Sequence, residues 1–194
     1  MLYLDIVIIL GEIVGLVLAT FENGWGQFVF YTQNSNYFLL AATLAHFCCL
    51  LKKKPVPKAV NRLKYIASCT TTVTFVVAVT VLLPMYKRPY ITFLNGANIF
   101  QHTLCPILGF ASLPFMDPVE KRDCRLALIP TGLYALLFVP LNYFRVYDGP
   151  YPFLRVHSQP WYMSVLWLFA IGAVSFVIAV LLRKVCGKKA RSRR

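Results

Sequence analysis

Thr32, Ser35 and Asn36 on one polar run, and Asn98, Gln101 and His102 on another, are the side chains best suited to chemistry. A histidine within reach of a hydroxyl can take its proton and make the oxygen a nucleophile, while nearby amides or N–H groups stabilise the oxyanion that forms. Both runs, residues 31–36 and 95–103, interrupt strongly apolar surroundings. Polar groups in hydrocarbon cost free energy unless partnered, so such clusters face a bundle interior or a wet cavity. Hydroxyls and amides there also serve simply to cross-link helices, each bond contributing about 0.6–2 kcal/mol. Residue types alone leave both uses open, with cross-linking the commoner.

Cys105 follows His102 by three residues and offers a second nucleophile, through a thioester, for an acyltransferase. A buried thiol is more often a packing residue, which ranks it below Thr32. His46 lies deep in its segment and reads as a structural hydrogen-bonder. Glu12, mid-segment, calls for an intramembrane partner, a hydroxyl or amide of the second span, or for a protonated carboxyl. Asp5 sits near a boundary where ordinary solvation suffices. His157 belongs to a loop, as a lid residue or a solvated one. His46, His102 and Cys105 do not pair at a metal-ligand spacing, so no metal is expected.

The elements that must position these groups follow from composition. The 194 residues are 58% hydrophobic and 14% charged, with mean hydropathy +0.63, which fits one all-α polytopic bundle and excludes a soluble domain. A helix of about 20 residues crosses a bilayer core. Six segments qualify, at roughly 2–20, 28–51, 65–84, 97–115, 126–144 and 161–182, followed by a basic tail at 183–194 expected to be disordered. The first carries Asp5 and Glu12 and no cleavage signal, so it reads as a retained helix. Prolines 55, 57, 84, 89, 114 and 118 fall at the breaks, and Pro106, Pro130 and Pro140 lie within spans.

The net charge of +13 suggests nucleic acid until its location is considered. Sixteen of the 20 basic residues fall on one side: residues 52–64 after span two, Lys121, Arg122 and Arg125 after span four, and seven after span six. By the positive-inside rule that side, with both termini, is cytoplasmic. Without aromatic interleaving or a nucleic-acid module, these segments suit anionic headgroups rather than RNA or DNA. Cysteines 48, 49, 69 and 105 fall within spans and Cys124 and Cys186 at cytoplasmic ends, which argues against disulfides.

With this topology spans two and four run the same way, and Thr32 and His102 each lie about 6–8 Å below the outer boundary at 1.5 Å per residue. The loop between spans five and six, with Tyr151, Pro152, Phe153, Leu154 and His157, is on that same side. On an α-helix Asn95, Asn98 and His102 form one stripe with Gln101 beside it, and Thr32, Ser35 and Asn36 share a face. A cavity between spans two and four, covered by residues 145–160, is therefore expected. Phe38, Leu39, Phe100 and Phe153 would hold acyl chains in it, with Asn36 and Asn98 supporting an oxyanion.

The threonine in a polar run opening span two, the histidine early in span four with Pro106 after it, and Tyr151-Pro152-Phe153-Leu154 before the last span resemble the androgen-induced family of membrane hydrolases and its bacterial six-helix relatives. Characterised eukaryotic members are intramembrane threonine hydrolases of fatty acid esters of hydroxy fatty acids. The resemblance implies Thr32 as nucleophile and His102 as base, with no cofactor. The run 32–36 is more polar than the family's counterpart, which keeps Ser35 in contention. Membrane lipids and a lipid ester are the implied partners, in a bacterial plasma membrane or a eukaryotic membrane. The rival readings are a protein that binds or transports a small solute or protons through the same polar cavity, and a non-catalytic scaffold.

Overall fold

The computed structural model describes residues 1–53, 55–85 and 93–191, in helices and turns with no strand among them. Helix α1 (Leu2–Asn23) ends at Gly24, whose φ of 54° takes the chain out of the helix, and a 3-10 segment (Gly24–Val29) leads to α2 (Tyr31–Leu51). Helix α3 (Lys58–Val77) starts immediately after Pro57 and widens into a π turn at Ala78–Leu82. A second π turn (Ile99–Leu104) runs into α4 (Cys105–Ser112). Helix α5 (Lys121–Leu126) is opened by a reciprocal cap between Glu120 and Asp123, and a short turn joins it to α6 (Ile129–Tyr143). Pro160 precedes α7 (Trp161–Val185), and α8 (Lys188–Arg191) follows.

Five of these stretches are long and apolar enough to cross a membrane, and the sixth, Ile99–Phe115, is shorter. The third reaches back to Lys58 rather than beginning at 65, because Lys64 is buried and paired instead of lying in a loop. The basic tail is docked at its start. Gly187 donates its N–H to the Leu113 carbonyl at 3.0 Å, and its φ of +77° places Pro118 where a Cβ would collide.

Three apolar clusters hold the bundle: one at the end carrying the basic residues, around Tyr65, Leu113 and Ile178; one at the opposite end, around Leu82, Phe138 and Leu154; and one between, around Ile8, Leu39 and Cys105. Helix α3 carries a run of buried hydroxyls. Ser68, Thr70, Thr71 and Thr74 donate to carbonyls three or four residues back, which satisfies them within their own helix.

One polar cluster departs from expectation. Asp5, fully buried rather than solvated, accepts from Lys64 Nζ through Oδ1 and meets His46 Nδ1 at 2.7 Å through Oδ2. His46 is the structural hydrogen-bonder it was expected to be. Glu12 is also fully buried, yet among the described residues neither carboxylate oxygen has a hydrogen bond of normal geometry. The polar group beside it is the Cys105 thiol, not a residue of the second span.

Candidate functional site

Thr32 occupies the second position of α2, the positive end of a 21-residue helix dipole, with no side-chain cap from its own segment. The cap comes from the loop before α7. Thr32 N–H donates to the Tyr151 hydroxyl at 3.3 Å, and the same hydroxyl lies 3.3 Å from Thr32 Oγ1. A phenol accepting from the amide keeps its own proton to offer the threonine oxygen.

Tyr151 is seated by rings. It stacks on Phe153 at 5.2 Å between centroids and lies 6.3 Å from Phe30 and 6.4 Å from Tyr134. Tyr134 in turn donates to the Val29 carbonyl at 2.7 Å, and Tyr31 bonds Thr131 at 2.8 Å. Asn142 holds the loop's far side by accepting from Val156 N–H at 2.7 Å. Of the expected lid, Tyr151 and Phe153 meet the site. Pro152 is exposed, and His157 is bonded to the Tyr143 carbonyl at 3.0 Å, away from it. Replacing Tyr151 by phenylalanine keeps the stack and deletes both bonds to Thr32. Limited proteolysis should then cut residues 145–160 more readily, with unfolding changed by only about 1–2 kcal/mol; unchanged cleavage would mean the hydroxyl does not hold the loop.

Thr32, Tyr151 and Phe153 line a cavity of about 300 Å³. Its remaining walls come mostly from α3, α6 and α7, chiefly Val73, Thr74, Tyr134, Trp167 and Leu168, with Leu154 and Val156 of the loop. No residue of the fourth segment contributes, so the expected cavity between spans two and four is corrected to one among spans two, three, five and six. Phe38, Leu39 and Phe100 pack in the core clusters instead, leaving Phe153 as the only expected acyl-contacting residue in the cavity wall.

The supporting residues are close to Thr32 but committed elsewhere. Ser35 donates to the Thr32 carbonyl at 2.9 Å and bonds Thr74 at 3.0 Å, so its hydroxyl serves the packing of α2 on α3. Asn36 spends its amide protons on the Thr32 carbonyl at 2.7 Å and the Gln101 carbonyl at 3.1 Å, which removes it as an oxyanion donor. Gln101 accepts from Gln33 at 2.6 Å and donates to the Gly15 carbonyl at 3.1 Å, tying α1, α2 and the fourth segment together.

The fourth segment explains where His102 goes. Pro106 has no N–H for the carbonyl four residues earlier, that of His102 itself, and its ring crowds that oxygen. The chain widens into the π turn, with Cys105 N–H donating five residues back to Phe100. Wider turns shift the phase, so the residue delivered to the interior is Gln101, fully buried. Asn98 and His102 are half-buried and Asn95 is exposed. No family model, curated protein or solved structure matches this chain. The His102 ring lies 5.2 Å from that of Phe93, and its Nδ1 is buried with no hydrogen-bond partner among the described residues.

Thr32 and His102 therefore share no hydrogen bond, although Asn36 bridges the Thr32 carbonyl to that of Gln101, the residue next to His102. His102 and Cys105 do not form a Cys-His pair either, since the thiol faces Glu12. Sequence reasoning missed Tyr134 and Thr131. Their spacing on α6, with hydroxyls at i and i+3, was the available signal. Among the described residues no cluster of three or more His, Cys, Asp or Glu groups could hold a metal ion.

Proposed function

We propose that this chain is a multi-pass membrane protein, both termini cytoplasmic, that hydrolyses lipid esters of the fatty acid–hydroxy fatty acid type with Thr32 as nucleophile. The observation that carries the reading is the Thr32 hydroxyl in the wall of an apolar cavity, at a helix N-terminus and under the Tyr151 phenol. The motif resemblance to the androgen-induced family supports it independently.

In the reaction, His102 takes the proton from Thr32 Oγ1 as that oxygen bonds to the ester carbon and the carbonyl pair moves onto its oxygen. The oxyanion is stabilised by the α2 dipole and the Tyr151 O–H. Collapse expels the alcohol, which takes the proton from the imidazolium. Water then attacks the acyl-threonine as His102 takes its proton, and collapse breaks the acyl bond to Thr32 Oγ1, which recovers that proton from the imidazolium as the carboxylic acid leaves. His102 must come within hydrogen-bond reach of Thr32 in the substrate complex, since hydrogen bonds of this kind are often long in apo structures. Its Nδ1, which has no hydrogen-bond partner among the described residues, can accept a proton.

A second reading is binding of the same lipid without turnover. It is favoured by the position of His102, outside the cavity wall. Labelling of the detergent-purified protein by a fluorophosphonate separates the two. Hydrolysis predicts labelling that is lost in Thr32→Ala and His102→Ala and kept in Ser35→Ala and Cys105→Ala. A folded native chain that does not label leaves binding as the function.

A further inference from the structure

The cavity is not sealed on its side. Val165 and Leu168 line it and are nevertheless 44% and 53% exposed on α7, a helix apolar enough to lie in a bilayer. On α6 the lining residue Gly132 is exposed too. The opening thus lies between α6 and α7, along their length, rather than through the aromatic loop.

Two glycines define that gap. Gly132 and Gly172 both line the cavity, and each is eleven residues from the loop end of its helix, Tyr143 for one and Trp161 for the other. The helices are antiparallel, so the glycines sit at corresponding levels. A Cβ built on either meets nothing within 4 Å. Neither glycine has a positive φ, and neither is needed for close helix contact; each costs its helix up to about 1 kcal/mol relative to alanine. Small residues in membrane helices ordinarily allow close approach. Here they leave space.

The lining identifies what fills that space. Apart from the Tyr, Thr and Ser hydroxyls and the Trp167 indole N–H, the side chains of the walls are hydrocarbon or absent, as in glycine. A cavity of about 150 Å³ holds benzene, so about 300 Å³ suits roughly a dozen carbons. We propose that the gap between α6 and α7 admits one straight acyl chain sideways from the bilayer, and that Gly132 and Gly172 set the length of chain the cavity accepts. The acyl group's polar end then lies at Thr32 and Tyr151, and only that last placement rests on the hydrolase reading.

The test measures binding, not turnover. Radiolabelled ethyl esters of straight-chain acids, hexanoyl to hexadecanoyl, are titrated onto the Thr32→Ala protein in detergent, with native glycines or with Gly132→Leu, Gly172→Leu or both. Gly132→Ala and Gly172→Ala, which fill less space, accompany them, and thermal melting confirms that each variant is folded. With native glycines, affinity should rise with chain length and level off near dodecanoyl. The double leucine variant should level off several carbons earlier and bind dodecanoyl at least tenfold more weakly, with the alanine variants between. A chain-length profile that ignores the glycines, or equal affinity for a bulky isoprenoid ester, overturns the proposal. If the glycine-dependent profile is found in a protein that never hydrolyses an ester, the cavity assignment stands and the hydrolase reading falls.

Discussion

Replacing Asp5 by leucine should destabilise the protein by about 3–5 kcal/mol, the largest effect expected of any single substitution. Asp5 is the shared acceptor for Lys64 and His46, and neither it nor Lys64 has any exposed surface. Removing it leaves an ammonium buried in a bundle with no counter-charge. Lys64→Met should cost less than Asp5→Leu, because His46 remains to donate to the carboxylate. The combination Asp5→Leu, His46→Leu, Lys64→Met should recover most of the loss, since a well-packed apolar replacement of a buried ionic cluster is often neutral or better. Thermal unfolding in one detergent, followed by loss of monodisperse protein, ranks the variants. An Asp5→Leu melting point equal to the native one would mean that Lys64 escapes to solvent and that the cluster contributes nothing.

That cluster marks the limit of what hydropathy reveals. The apolar stretches were legible because a bilayer-length helix needs a run of side chains without charge. The same rule misplaced the start of the third helix. Lys58, Arg62 and Lys64 read as loop, whereas Lys64 is neutralised by a carboxylate from α1 and Arg62 by Asp123 at 2.6 Å. A long-range pair of this kind leaves no local trace. The fourth segment failed in another way. Pro106 was visible, but its consequence was a change of helical period, which moved Gln101 inward in place of the Asn95, Asn98 and His102 stripe.

The cavity was legible at its polar end only. Thr32 and the Tyr151 loop were brought to one level by topology, and the structure joins them through a shared hydroxyl. The remaining walls were hidden because an apolar helix facing a void and one facing lipid have the same composition. What distinguishes them here is two glycines on facing helices, a signal without meaning until the helices are placed.

On the hydrolase reading, Thr32→Ala should lower the turnover of a cavity-sized ester by at least about 10³-fold, with the binding affinity for that ester changed less than tenfold. The substitution removes the bond-forming oxygen and leaves the apolar walls intact. Thr32→Ser should retain measurable turnover, because the hydroxyl survives and only the methyl that fixes its rotamer is lost. The informative comparison is with His102→Ala. Nucleophile and base that act as a unit lose the same step when either is removed, so the double variant should be no slower than the worse single one. Steady-state hydrolysis of one ester by the four proteins measures this directly. If the two losses instead multiply, His102 acts somewhere other than on the Thr32 proton. In that case the Tyr151 phenol, 3.3 Å from the threonine oxygen, becomes the group to replace next. Turnover unaffected by Thr32→Ala would remove the threonine from the chemistry altogether and leave it as a polar anchor for the bound ester.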